Sequence, residues 1–207
     1  MIRIGVDYYP EHWERSSWAK DIALMKQTGV TTVRIAEFAW GLMEPTEGHF
    51  DFGWLDDIVK MLGDAGIEII LGTPTNCAPL WLYRNYPETL SVERDGTRTA
   101  TGLRGHRCME SPLFRKYAAR IISEMTKRYA KNPHVIAWQI DNELNCETCE
   151  FHSESDSAAF RVFLKEKYGT LDVLNENWGT AFWNQTYTDW EQIHVPRTLL
   201  GNGYNPH

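Results

Sequence analysis

Four short apolar runs alternate with segments of helical period, and this alternation limits the fold more than any other feature of the chain. Residues 2–6, 32–35, 67–72 and 135–140 read as strands. Between them Trp18, Ile22 and Met25, then Leu55, Val59 and Leu62, then Phe114, Ala118, Ile121 and Met125 recur at helical spacing. Thr28-Gly29, Gly66 and Asn132-Pro133 supply the stops. Near-continuous apolar strands separated by helices predict a parallel sheet covered on both faces, so the class is α/β. Further helices are expected over residues 78–86, around Phe160, Leu164 and Tyr168, and over residues 171–178. Asp95-Gly96 marks a tight turn, and no clear element is expected beyond Trp183.

The chain has 207 residues and a net charge of −7, spread without a basic block. That charge argues against nucleic acid and against an anionic membrane surface as partners. With 43% hydrophobic residues the composition is globular, and no internal linker divides it. The N-terminus lacks a long apolar stretch, no run approaches the length of a membrane span, and the expected location is cytoplasmic. Four cysteines, Cys77, Cys108, Cys146 and Cys149, then read as thiols or metal ligands rather than disulfides.

The fourth strand ends in Trp138-Gln139-Ile140-Asp141-Asn142-Glu143. Residues just past the C-terminal end of a barrel strand face the active-site mouth. A Glu there can protonate a leaving glycosidic oxygen, and the Asn can hold a neighbouring hydroxyl. The same three polar residues could equally cap the next helix. Elsewhere His12 and His134 read as structural hydrogen bonders, Trp13, Trp18 and Trp54 as packing, Met43-Glu44-Pro45 as a loop anchor, and Cys77 as a small buried apolar residue.

Five ordered blocks resemble the N-terminal part of the family 42 glycoside hydrolases, β-galactosidases with a (β/α)8 TIM barrel. They are Gly5-Val6-Asp7-Tyr8-Tyr9-Pro10-Glu11-His12-Trp13, Arg34-Ile35-Ala36-Glu37-Phe38-Ala39-Trp40, Leu71-Gly72-Thr73-Pro74-Thr75, the Trp138 to Glu143 stretch, and the run from Leu174 to Trp183. The resemblance implies that residues 1–207 are the N-terminal portion of such a catalytic domain, with about the first four βα units. It makes Glu143 the acid/base carboxylate, Asn142 the residue that holds the 2-hydroxyl of galactose, Arg104 an arginine of the sugar site and Trp183 an aromatic beside it. Glu37 and Trp40, at the end of the second strand, are pocket candidates by position. The acid must be protonated when substrate binds, a state that partial burial among Trp and Tyr would favour and a second ionised carboxylate close by would favour further. Arg104 is expected on sugar hydroxyls and not on the acid.

The chain departs from the family pattern in two ways. A complete barrel takes about 250 residues and eight strands. The family's nucleophile comes from a late strand, and none of the remaining carboxylates matches its motif. The expected activity is that of a retaining β-galactosidase whose acid/base half this chain carries, inactive alone. Two sheet edges should then be unpaired and apolar faces uncovered, with homo-oligomerisation or a missing C-terminal half as the remedy.

The second departure is a zinc site that the resemblance implies, with one Cys before the fourth strand and three ligands after the acid/base Glu. Cys108 matches the first, but the other three positions fall on Phe151, Ser153 and Asp156, and Cys146 on a family cysteine that is not a ligand. A substitute set of Cys108, Cys146, Cys149 and His152 satisfies zinc's preferences. A lost site with leftover thiols is the favoured reading, and the chemistry itself requires no cofactor. The competing functions are another glycosidase of the same barrel clan (β-glucosidase, arabinosidase or xylosidase) and a non-catalytic carbohydrate-binding fragment. Galactosides or oligosaccharides are the expected ligands.

Overall fold

The computed structural model describes residues 2–144, 146 and 151–197. Contacts divide the chain into two compact units, Met1–Asn85 with Lys116–Cys146, and Tyr86–Arg115 with Glu147–His207.

The first unit holds a four-stranded parallel sheet in the order β1-β2-β3-β4, formed by Gly5–Asp7, Thr32–Ile35, Glu68–Gly72 and Val135–Gln139. All four expected strands are present. The first starts later than its apolar run: the Ile4 amide turns to Thr31 Oγ1, while its carbonyl accepts from the Thr31 and Thr32 amides. The third and fourth strands pair with a register irregularity between Ile69 and Ile70.

Helices α1 (Arg15–Gln27), α2 (Trp40–Met43), α3 (Gly53–Asp64) and α4 (Leu80–Asn85) fall between the strands, followed by α5 (Pro112–Tyr129). Trp18 and Ile22 of α1, Leu55, Ile58 and Leu62 of α3, and Ile121 and Met125 of α5 are buried, together with Val33, Ile35, Ile69 and Leu71 of the sheet. Gly63 admits His134 to the surface of α3. A Cβ at Gly63 would lie 2.3 Å from the imidazole Cδ2.

Glu44 anchors the loop after α2. Its buried carboxylate accepts from Trp40 Nε1 at 3.0 Å and from the Gly48 amide at 2.8 Å, and it pairs with Arg120 of α5. Trp81 Nε1 donates to the Glu44 carbonyl at 2.8 Å. Asp56 of α3 pairs with Arg128 and accepts from Tyr129 Oη at 2.8 Å. Burial alone would raise the carboxyl pKa of Asp56, but the Arg128 guanidinium and the Tyr129 hydroxyl together hold it below its ordinary value.

Among the described residues β1 pairs only with β2 and β4 only with β3. Ile4 and Val6 near one edge and Ile136 and Ile140 at the other are exposed. The expected unpaired edges and uncovered apolar surface are therefore present.

The second unit contains the bridges Leu90↔Arg107 and Val92↔Arg98, the latter closing the Asp95-Gly96 turn. Helix α6 (Glu154–Tyr168) stops at Gly169, whose φ is 74°, and α7 (Leu171–Trp178) follows. Leu164, Leu174 and Ile193 form its core, packed by Phe160, Tyr168, Trp178, Tyr187 and Trp190. Buried Arg161 crosses that core to donate to the Ile193 carbonyl at 3.0 Å and to pair with Glu154 and Glu191. Among the described residues no helix is long and apolar enough to cross a membrane.

Candidate active site

Three backbone and side-chain ties from the loop after β3 set the end of β4. Thr73 N–H donates to the Gln139 carbonyl at 2.9 Å, which extends the β3–β4 ladder by one step. Thr73 Oγ1 accepts from the Asp141 amide at 2.7 Å, and Asn76 Nδ2 donates to the Asn142 carbonyl at 2.6 Å. Thr73 and Asn76 are both buried, so the two loops are locked together beside Glu143.

That restraint holds an unusual backbone. Asp141 has φ 56° and Glu143 φ 42°, left-handed conformations that cost energy for residues with a Cβ. Asp141 compensates by accepting from the Asn142 amide at 2.6 Å. The result presents two adjacent functional groups. Asn142 is buried, its Oδ1 accepts from Gln139 Nε2 at 3.0 Å, and its Nδ2 donates to Glu143 Oε2 at 3.2 Å. Glu143 is exposed.

Glu37 follows β2 directly and is fully buried. Ala36 before it has φ 78°, another strained position that re-aims the chain at the strand end. Glu37 Oε1 accepts from Tyr9 Oη at 3.0 Å and from Arg34 Nε at 2.9 Å, and Arg34 also pairs with Asp7 at 2.9 Å. Glu37 Oε2 is buried and has no hydrogen-bond partner among the described residues. Burial, reinforced by the Glu37 charge, keeps the Tyr9 phenol above its ordinary pKa despite Arg34.

Trp40 differs from its expected place at a pocket. It is fully buried, with its indole nitrogen on Glu44, because it opens α2 facing the core. Trp13 departs in the other direction. It was expected to pack, yet it is 64% exposed. Arg104 and Trp183 belong to the second unit. Arg104 lies half-buried in a bend. Trp183 is 71% exposed at φ 58° and lies against Phe182, with ring centroids 4.6 Å apart. Such an aromatic face is open to a ligand. Glu37, Asn142 and Glu143 thus fall in the first unit, at the C-terminal ends of β2 and β4.

Sequence reasoning gave no role to Thr73 or Asn76. Thr73 stands in one of the five recognised blocks, which was the available signal. Asn76 carried none.

The positions that the resemblance connects with zinc do not fit that metal. Cys108 Sγ lies 3.1 Å from Ser153 Oγ and 3.9 Å from each oxygen of Asp156. Phe151 offers a ring and Ser153 a hydroxyl where zinc takes thiolate or imidazole, leaving one thiol and one carboxylate of the right type. Burial pushes the Cys108 thiol above its ordinary pKa, away from the thiolate that a metal needs. Of the substitute set, Cys146 is exposed in the first unit, His152 is buried in the second, and Cys149 lies outside the described residues.

The sequence profile of glycoside hydrolase family 42, described as beta-galactosidase, matches residues 7–207. The beta-galactosidase BgaA of Clostridium cellulovorans is 50% identical over 195 residues, covering 94% of this chain and 29% of that protein. A beta-galactosidase of Thermus thermophilus is 43% identical, covering 95% of this chain and 31% of that protein. Among solved structures, the beta-galactosidase of the psychrophilic Marinomonas ef1 superposes with a TM-score of 0.91 at 39% identity, covering 97% of this chain and 31% of the other. The chain spans about 30% of the length of these relatives.

Proposed function

This chain belongs to glycoside hydrolase family 42, and we propose that it carries the acid/base part of a retaining β-galactosidase site, with Glu143 as the acid and Asn142 as its neighbour on the sugar. The observation that carries this reading is the Asn142–Glu143 pair, 3.2 Å apart and held on a strained turn at the C-terminal end of β4. Backbone strain fixed by surrounding hydrogen bonds is characteristic of sites where geometry matters more than stability.

In this reading Glu143 protonates the leaving glycosidic oxygen and later takes a proton from the attacking water. Asn142 Nδ2, which holds Glu143 Oε2 in the unliganded chain, turns to a sugar hydroxyl. Glu37 Oε2 accepts a second hydroxyl, for which its open acceptor capacity is suited. The family resemblance alone adds Trp183 as a stacking face and Arg104 as a donor to hydroxyls.

A retaining mechanism also needs a carboxylate nucleophile about 5–5.5 Å from the acid. No other carboxylate of the sequence carries the family's nucleophile motif, so the chain by itself is inactive. In the family barrel the later strands would pair along β4 and β1, cover Ile136, Ile140, Ile4 and Val6, and bring the nucleophile. The site needs no cofactor, and the place of action is the cytoplasm.

The test is a panel of nitrophenyl glycosides, offered to the chain together with a polypeptide supplying the later strands of a relative. Turnover of the β-D-galactoside in preference to the β-glucoside, arabinoside and xyloside is expected. Preference for one of the other sugars would reject the β-galactosidase assignment.

A further inference from the structure

We infer that Cys108, Ser153 and Asp156 form a metal-free hydrogen-bonded node that does in this chain what a bound zinc would do, namely fix the start of α6 against the Cys108 turn. The inference is independent of the proposed activity.

Two lines meet here. The family resemblance implies three ligand positions at Phe151, Ser153 and Asp156. The fold independently brings two of those three to the Cys108 sulfur, at 3.1 Å and 3.9 Å. Two of the positions that the resemblance connects with zinc thus meet at the Cys108 sulfur with a hydroxyl and a carboxylate as their donors. Cys108, Ser153 and Asp156 are all buried.

The replacement residues do a specific job. Ser153 is the N-cap of α6 and Asp156 its third residue, and they form a complete capping box. The Asp156 amide donates to Ser153 Oγ at 3.1 Å, and the Ser153 amide donates back to Asp156 Oδ2 at 2.8 Å. This reciprocal pair satisfies two helix-terminal N–H groups without outside help. A helix start held by a metal would have no need of it.

Proton arithmetic closes the node. The single Ser153 hydroxyl proton goes to Asp156 Oδ2 at 2.6 Å. Its lone pairs then face the sulfur, so the Cys108 S–H supplies the proton for the 3.1 Å contact. One carboxylate charge, one thiol proton and one hydroxyl proton make a satisfied set. A divalent cation would have to displace the thiol proton and break the capping box to reach the same atoms.

The experiment is metal analysis of the purified full chain after growth with added zinc, with its melting temperature measured with and without EDTA. Substoichiometric zinc and an unchanged Tm are expected. Ser153→Ala should lower Tm equally in zinc and in EDTA. One equivalent of zinc per chain, whose removal lowers Tm or which Cys108→Ser abolishes, would overturn the inference. A second variant tests the geometry. Phe151→Cys, Ser153→Cys and Asp156→Cys together should create a chain that takes up one zinc and whose Tm falls in EDTA. A folded triple variant that stays free of zinc would contradict the geometric half of the inference.

Discussion

Gly72, the last residue of β3, lies so close to Glu37 that a Cβ built on it would sit 2.4 Å from the Glu37 Cβ and 2.8 Å from its Cα. The contact is with backbone and with the root of a buried side chain, neither of which can swing away. Gly72→Ala should therefore destabilise the chain by about 3 kcal/mol or more, the upper range for overpacking. Urea unfolding would show this as a lower midpoint with an unchanged slope. A variant as stable as the parent would mean that Glu37 is not held where the structure places it.

The Glu44 carboxylate makes a second prediction. It is buried, with Trp40, Gly48 and Arg120 as partners. Removing one member of a buried charged pair costs about 3–5 kcal/mol, since the other is left uncompensated. Because Arg120 is 31% exposed, the two deletions should be unequal. Arg120→Ala, which strands the fully buried carboxylate, should cost more than Glu44→Ala charges to the half-open guanidinium, and denaturant unfolding of the two variants would show the order.

Asp56 and Tyr129 predict how stability varies with pH. The folded-state pKa of Asp56 lies below its ordinary 3.8, so its contribution is present above that value and is lost as pH falls further. Tyr129 has its pKa pushed up, first by burial and then by Asp56, so its contribution is present below the ordinary 10.0 and is lost as pH rises beyond it. Melting temperature followed across pH should decline at both ends. Asp56→Asn should flatten the acid limb, and Tyr129→Phe the alkaline one. Parallel curves for parent and variants would rule out these two groups as the source.

Much of this architecture was legible because it is periodic. The apolar runs at residues 32–35 and 67–72 gave strands within a residue of Thr32–Ile35 and Glu68–Gly72, and Leu55, Val59 and Leu62 gave the buried face of α3. Helix α2 was not legible, since four residues cannot display a helical period. The site was legible in part. Asn142 and Glu143 are adjacent in the chain and lie just past the end of β4, where the strand end was expected to present them. Trp40 shows the limit of position alone: its place at a strand end suggested a pocket, while its indole found Glu44 in the core. Thr73 and Asn76 escaped because their work is done by hydrogen bonds to a strand more than sixty residues away.

That work can be measured. Asn76→Ala removes the donor to the Asn142 carbonyl and leaves Asn142 and Glu143 themselves intact. Loss of one buried hydrogen bond should cost about 1–3 kcal/mol. In the complemented enzyme the same change should lower kcat more than it raises KM, because it loosens the acid without removing a contact to the sugar. An increase confined to KM would instead make Asn76 a binding residue.

The central claim is that Glu143 is the acid/base of a galactosidase site that the later strands of the barrel complete. The measurement that tests it most directly is hydrolysis of nitrophenyl β-D-galactoside by the chain alone, by the chain with a polypeptide supplying the later strands, and by the same mixture carrying Glu143→Gln. The account predicts no turnover alone, turnover in the mixture, and its loss by a factor of about 10²–10⁴ with the variant. Turnover by the chain alone, or a mixture indifferent to Glu143→Gln, would contradict it.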